Sequence, residues 1–411
     1  MITFLNKVLK INDLWLTAVN YNPLNLPKNT IRVRTNDGNP PYKSSAPYTA
    51  TYDTATLVEG TTDVYDIYKS GKNWYSLLNN CKNVIEVIGG NTAGITNMDA
   101  MFHQCMNLEK VALFDTSKVT KMSTMFQNCF NLTEVPKFPT YSCTDMNHMF
   151  RACRSLEEIP DFDTSKVKDF WRMCDGCSSL KKGPNIDTSA AVNTDGMLRS
   201  CSGMVDIPAY NLQTVTSCEA MFFGCESLVS APEIKLDNVI NIEYTERDGI
   251  HISNNQGFMG KCYSLKYIEG IDIPNGTSGS IIGSCSGLTE IGYLNVPNYT
   301  MFDYMFYDCR SLEHLPQINL YAASAIDYMC YNCTSLKEIP DMDIGSNVKS
   351  ADMAFYECVN VASGSLDVYN SIKDSVDRYK HQYTFYNCGV NTTTGAAELA
   401  QIPDNWKTDL N

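Results

Sequence analysis

Cys81, Cys105, Cys129, Cys153, Cys177, Cys201 and Cys225 follow one another at a spacing of 24 residues. The series continues through Cys262, Cys285, Cys309, Cys333, Cys358 and Cys388 at steps of 37, 23, 24, 24, 25 and 30, so 13 of the 17 cysteines stand on one ladder. A fixed period constrains the fold more than composition does. Each repeat is one small unit that cannot bury its own apolar face, so neighbours must stack into a solenoid.

The flanks share the register. Leu108, Leu132, Leu156 and Leu180 stand three residues after a ladder cysteine, and Val111, Val135 and Ile159 stand six after. Proline recurs one residue further on, at Pro136, Pro160, Pro184, Pro208, Pro232, Pro316 and Pro340. Met101-Phe102, Met125-Phe126 and Met149-Phe150 precede the cysteine, with Met98, Met122 and Met146 seven before it. Apolar positions −7, −4, −3 and 0 have the i, i+3, i+4, i+7 spacing of one helix face. Positions +3 to +9 read as a short extended strand. The Asp-Thr-Ser segments within Phe114–Val119 and Phe162–Val167 supply turn and N-cap residues. The expected repeat is strand, turn, short helix, and the expected fold is an α/β solenoid of about 13 coils, matching the 13 ladder cysteines.

The composite motif MFxxCxxLxxVPxFDTSxVTxM resembles the BspA-type leucine-rich repeats and the related repeat of the "Mycoplasma protein of unknown function" family. The resemblance runs from Trp74 to Asn387 and is closest around Cys105 to Cys177. It implies a leucine-rich-repeat solenoid and a surface protein associated with adhesion. The stretches NTIRVRTNDGNPP, from Asn29 to Pro41, and NWYSLLNNCKNVIEVIGGNTAGITNMDAMF, from Asn73 to Phe102, resemble virion proteins of phages infecting gut Bacteroidales, the crAss-like group among them. That likeness implies a virion location after synthesis in the host cytoplasm, with a bacterial cell surface as the alternative.

Four roles compete for the cysteines. Cys174-Asp-Gly-Cys177 and Cys330-Tyr-Asn-Cys333 are C-x-x-C pairs, but a zinc site needs two such pairs together and each belongs to its own coil. Disulfides along the ladder would leave each thiol with two equivalent neighbours. A nucleophile needs a partnered base and some exposure, and no histidine position recurs. The off-ladder cysteines Cys143, Cys174, Cys218 and Cys330 take template positions elsewhere filled by Val, Phe or Met. Cysteine as a small buried hydrophobe fits all of this, and the ladder is read as structural core. Paired aspartates at Asp161 and Asp163, and at Asp341 and Asp343, lack the further oxygen ligands of a calcium loop and read as turn residues. No enzyme, cofactor or metal is expected.

Net charge is −14, which disfavours nucleic acid as a partner. No run of 18 apolar residues exists, so no membrane-spanning helix is expected, and the amino-terminal stretch does not read as a signal peptide. Residues 1–70 lack the repeat and alternate like strands. They are expected to form a β-rich module that caps the solenoid or anchors it to other virion proteins. Residues 71–388 form the solenoid, and 389–411 a carboxy-terminal cap. The step of 37 places 13 extra residues in one coil, around Asn241–Gly257. Its Tyr244, Glu246, Arg247, Asp248 and His251 are candidate binding residues, since solenoid insertions emerge on one face. The expected function is a non-enzymatic virion fibre or decoration that engages a host-surface glycan or protein. A scaffold without a receptor and a bacterial adhesin are the alternatives, and homo-oligomerisation stays open.

Overall fold

The computed structural model describes residues 8–11, 14–17, 22–42, 51–240 and 257–408. Near the amino terminus β1 (Val8–Ile11) and β2 (Leu14–Thr17) pair antiparallel. Then β3 (Thr30–Thr35), β4 (Thr54–Leu57) and β5 (Val64–Tyr68) join β6 (Val84–Asn91) and β7 (Lys110–Val111) in one sheet of order β4-β5-β3-β6-β7. β3 alternates in burial, with Ile31 and Val33 fully buried, and pairs antiparallel with β6. β6 pairs parallel with β7 across one repeat, Val87 opposite Val111. Strands β3 to β5 therefore extend the first solenoid strand sideways and cover its free edge, a device that repeat proteins need at their ends.

From there the chain winds in stacked parallel coils. Bridges connect Asn73, Asn97, Lys121, Asp145, Asp169, Asn193 and Ser217 in steps of one repeat, and Ser278, Met301, Ala325 and Ser350 likewise. After the cysteine, β8 (Ser230–Ala231), β10 (Tyr267–Ile268) and β12 (Glu290–Ile291) form one ladder. β9 (Ile234–Lys235), β11 (Ile271–Asp272) and β13 (Leu294–Asn295) form a second. The expected single strand from +3 to +9 is thus two short pieces, split also in the coils where +7 is Glu269 or Gly292 and not proline. At +7 Ala112 donates its N–H to Val87 O at 2.8 Å, and Gly292 donates to Ile268 O at 2.9 Å. Proline at that position has no N–H to give, so the coil-to-coil ladder is interrupted there.

Among the described residues the expected two-turn helix before the ladder cysteine does not form. The side chains at −7, −4, −3 and 0 are buried, as at Met98, Met101, Phe102 and Cys105, but the backbone is a run of turns. Residues at −5 and −1 sit in the left-handed region: Ala100 and Gln104, Thr124 and Asn128, His148 and Ala152, with φ between 53° and 62°. The N–H groups of Met98, Ala100, Phe102 and Gln104 donate to the next coil, to the carbonyls of Lys121, Ser123, Met125 and Gln127. Those of Met101, His103 and Cys105 close three-residue steps within the coil, onto Met98, Ala100 and Phe102. An α-helix would keep every such bond inside the coil. The alternation gives half of them to the neighbour, so stacking is held by backbone as well as by apolar contact. A left-handed residue at the third position of a four-residue turn is the type II arrangement.

The Asp-Thr-Ser segments form turns. Asp115 and Asp187 accept the backbone N–H of Ser117 and Ser189 at 2.9 and 2.8 Å. The buried hydroxyls of Thr116, Thr140 and Thr164 donate to the next coil, at Pro139 O, Asp163 O and Asp187 O. Helix appears near the carboxy terminus, as α1 (Ser365–Ile372) and α2 (Thr393–Leu399). Glu398 on α2 accepts from Ser365 Oγ and from the N–H of Leu366 at the start of α1. Trp406 packs on Phe385, His381 and Tyr369, closing the end of the core.

Candidate binding face

The ladder cysteines lie in the core with no exposed surface: Cys81, Cys105, Cys129, Cys153, Cys177, Cys201, Cys225, Cys262, Cys285, Cys309, Cys333, Cys358 and Cys388. All are free thiols. Their chemistry is internal. Cys129 Sγ donates to Phe102 O in the preceding coil at 3.1 Å, and Phe102 O also accepts the N–H of Cys105 at 3.0 Å. Cys105, Cys153, Cys177, Cys201, Cys225, Cys309, Cys333 and Cys358 make the same bond to the −3 carbonyl of the coil before. In both C-x-x-C pairs the first cysteine supplies such a carbonyl, Cys174 O to Cys201 and Cys330 O to Cys358. Burial pushes the Cys129 and Cys153 thiols well above their ordinary range. A thiol that stays protonated and has no surface is neither a nucleophile nor a ready metal ligand. Among the described residues no group of three His, Cys, Asp or Glu side chains could hold a metal ion.

Tyr244, Glu246, Arg247, Asp248 and His251 lie outside the described residues. The described surface offers a different candidate, the turn face formed by positions −6, −5, −2 and −1. Because those positions alternate with the buried ones, their side chains line up from coil to coil. In the middle coils the face is mixed. Arg151 pairs with Asp175 at 3.2 Å. Burial raises the Asp175 carboxyl against the opposing pull of Arg199, Arg151 and Arg172. His148 meets Trp171 edge-on at 4.4 Å between centroids.

Towards the carboxy terminus the face becomes tyrosine. Tyr307, Tyr331, Tyr356 and Tyr386, all at −2, form one column with centroids 4.9, 4.8 and 4.8 Å apart and planes within 15°. Tyr304 and Tyr328, at −5, stack beside it at 4.8 Å, and Tyr383 stands edge-on to Tyr386 and Tyr356. All seven rings are half-buried. The 4.8 Å spacing is the separation of hydrogen-bonded strands, so the backbone ladder itself sets the stack. Burial, followed by Tyr328, Asp303 and Asp327, pushes the Tyr304 hydroxyl up to about 12, and burial raises Tyr307, Tyr328, Tyr331 and Tyr356 as well. These phenols stay neutral donors throughout the physiological range.

A column of carboxylates flanks the rings at −6. Asp303 accepts the N–H of Asp327, Asp327 that of Asp352, and Asp352 that of Gln382, each at 2.8 Å. Asp308 accepts from Asn332 and Arg310, and Glu357 from Asn387. The sequence does carry a signal for this face: Tyr recurs at −2 in four coils and at −5 in three. A helix would also put −5 and −2, three residues apart, on one face; what the helical expectation could not supply is the strand-like spacing between coils that stacks the rings.

Two family models cover most of this solenoid. "Mycoplasma protein of unknown function, DUF285" matches residues 72–185 and 129–234, and "BspA type Leucine rich repeat region (6 copies)" matches residues 254–390. The later repeats match a leucine-rich-repeat model. The amino-terminal coils match the Mycoplasma-type model and the later coils the BspA-type model. Among solved structures the chain is similar to a leucine-rich repeat protein from Bacteroides ovatus, at 16% identity and a TM-score of 0.33, over 79% of this chain and 89% of that one. No curated protein sequence matches. Among the described residues no helix is long and apolar enough to cross a membrane.

Proposed function

We propose that this chain is a non-enzymatic binding protein on a phage particle, a fibre or decoration whose solenoid adheres to a protein or glycan of the host surface. The observation that carries the reading is the tyrosine column, seven half-buried rings held in register by the backbone with carboxylates alongside. Tyrosine supplies large amphipathic contact area with few rotatable bonds, so a fixed array of it binds at low entropic cost. Repetition of one weak subsite per coil, and of the chain around a particle, would add avidity. Residues 1–70 are the proposed attachment to other virion proteins or sister subunits, and their strands β3 to β5 make one sheet with the solenoid. Fluorescently labelled full-length chain should bind host cells saturably, and antibodies to it should decorate intact particles. Failure to bind any host surface would sink the adhesive role, and absence from purified particles would sink the virion assignment.

A further inference from the structure

We infer that the tyrosine face takes a protein segment bearing Lys or Arg side chains, and not a glycan. The inference rests on the reading of the chain as a binding protein and narrows it to one ligand class. Sugars are held by aromatic side chains mainly through an open ring face. In the middle of the column the ring faces are spent on one another. Tyr331 lies between Tyr307 and Tyr356, and Tyr356 between Tyr331 and Tyr386, each with both faces covered at 4.8 to 4.9 Å. Such rings have only their edges and hydroxyls left to offer, one per coil. That edge row resembles a paratope, in which rigid tyrosines offer apolar flank and a hydrogen-bonding tip to a polypeptide.

Charge selects among polypeptides. Asp303, Asp308, Asp327, Asp352 and Glu357 lie on or beside the column, against which stand Arg310, paired with Asp308, and Lys380, which faces Asp327. The backbone N–H bonds that Asp303, Asp327 and Asp352 accept fix the position of each carboxylate and leave its charge in place. A basic segment finds ordered counter-charges one coil apart, and an acidic one meets repulsion.

The test uses the full-length chain and a displayed library of random peptides about 12 residues long, long enough to cross several coils in an extended form. Enriched peptides should carry Lys or Arg. They should lose at least tenfold in affinity, about 1.4 kcal/mol, against the double variant Tyr331→Ser, Tyr356→Ser. Binding should also weaken as salt rises. Thermal unfolding shows whether the double variant folds. Tyr331→Phe, Tyr356→Phe keeps the stack and removes only the hydroxyls, and should lose less. Peptides that bind wild type and the double variant alike, or that are acidic, overturn the inference, as does a library that enriches nothing. A glycan array that lights up with wild type and goes dark with the double variant overturns it in favour of sugar. Cell adhesion that survives the double variant sinks this inference alone. Face-dependent peptide binding without cell adhesion sinks only the host-surface role.

Discussion

At Cys129 the thiol has a defined partner, Phe102 O at 3.1 Å, in a site with no exposed surface. That carbonyl keeps the N–H of Cys105 when the thiol is removed, so no backbone acceptor is orphaned. Cys129→Ser presents a hydroxyl to the same acceptor, so the bond is kept and the remaining cost, about 1 kcal/mol, is that of burying a more polar group. Cys129→Ala loses the bond and opens a small void and should cost about 1–2 kcal/mol. Cys129→Leu overfills the coil and should cost about 1–3 kcal/mol. Urea melts of the three variants order these effects. A serine variant far worse than alanine would show that the carbonyl is out of reach of the hydroxyl.

One residue separates turn from helix at the scale of the coil. Ala152 has φ 59° at position −1 of its repeat, and its neighbours in the column include Gly176 and Gly224. In a helix, Ala152→Gly would cost about 0.5–1 kcal/mol. In the turn it relieves a left-handed alanine worth roughly 1–2 kcal/mol and offsets the added freedom of the unfolded chain. The variant should therefore unfold at the same urea concentration as wild type or higher, by up to about 1 kcal/mol. Ala152→Pro, with φ held near −65°, should lose about 3 kcal/mol or more. A drop in stability with glycine would restore the helix. The periodicity of Met98, Met101, Phe102 and Cys105 was legible because it states which side chains face inward, and inward they lie. The conformation was not legible, because three-residue turns and a helix put the same four positions on one face. Only the inter-coil bonds decide between them.

The whole molecule carries an alkaline liability. Burial is the first cause of the raised thiols of Cys129, Cys143, Cys153, Cys174, Cys201, Cys218, Cys309, Cys330 and Cys358, with Cys143 pushed up to about 12. A folded pKa above the unfolded value, near 9 for a thiol, means that the folded chain holds more protons above that pH. The stability each thiol lends is whole below pH 9 and falls as pH rises, by about 1.4 kcal/mol per unit per thiol. Because one core runs the length of the solenoid, these losses add within one cooperative body. The chain should melt at a constant temperature from pH 6 to 8 and unfold steeply above roughly pH 9. A maleimide should label few thiols in the native chain and all 17 after unfolding. A melting temperature unchanged to pH 10.5 would place the thiols in contact with water.

The sequence by itself determined the period, the stacking and the list of buried positions, because burial follows from side-chain chemistry repeated at a fixed interval. The BspA-type motif was visible in the same residues. It placed Asp-Thr-Ser in turns, because those side chains bond their own backbone two residues on. The tertiary structure alone decided where the backbone N–H groups go. Those of Met98, Ala100, Phe102 and Gln104 cross to the next coil, which only stacked neighbours can accept. That choice removes the helix, sets the coils one strand spacing apart and brings Tyr307, Tyr331, Tyr356 and Tyr386 into a stack. The tyrosine face is therefore a property of the ladder: its residues are far apart in the chain, and the spacing between their rings is set by hydrogen bonds they do not make.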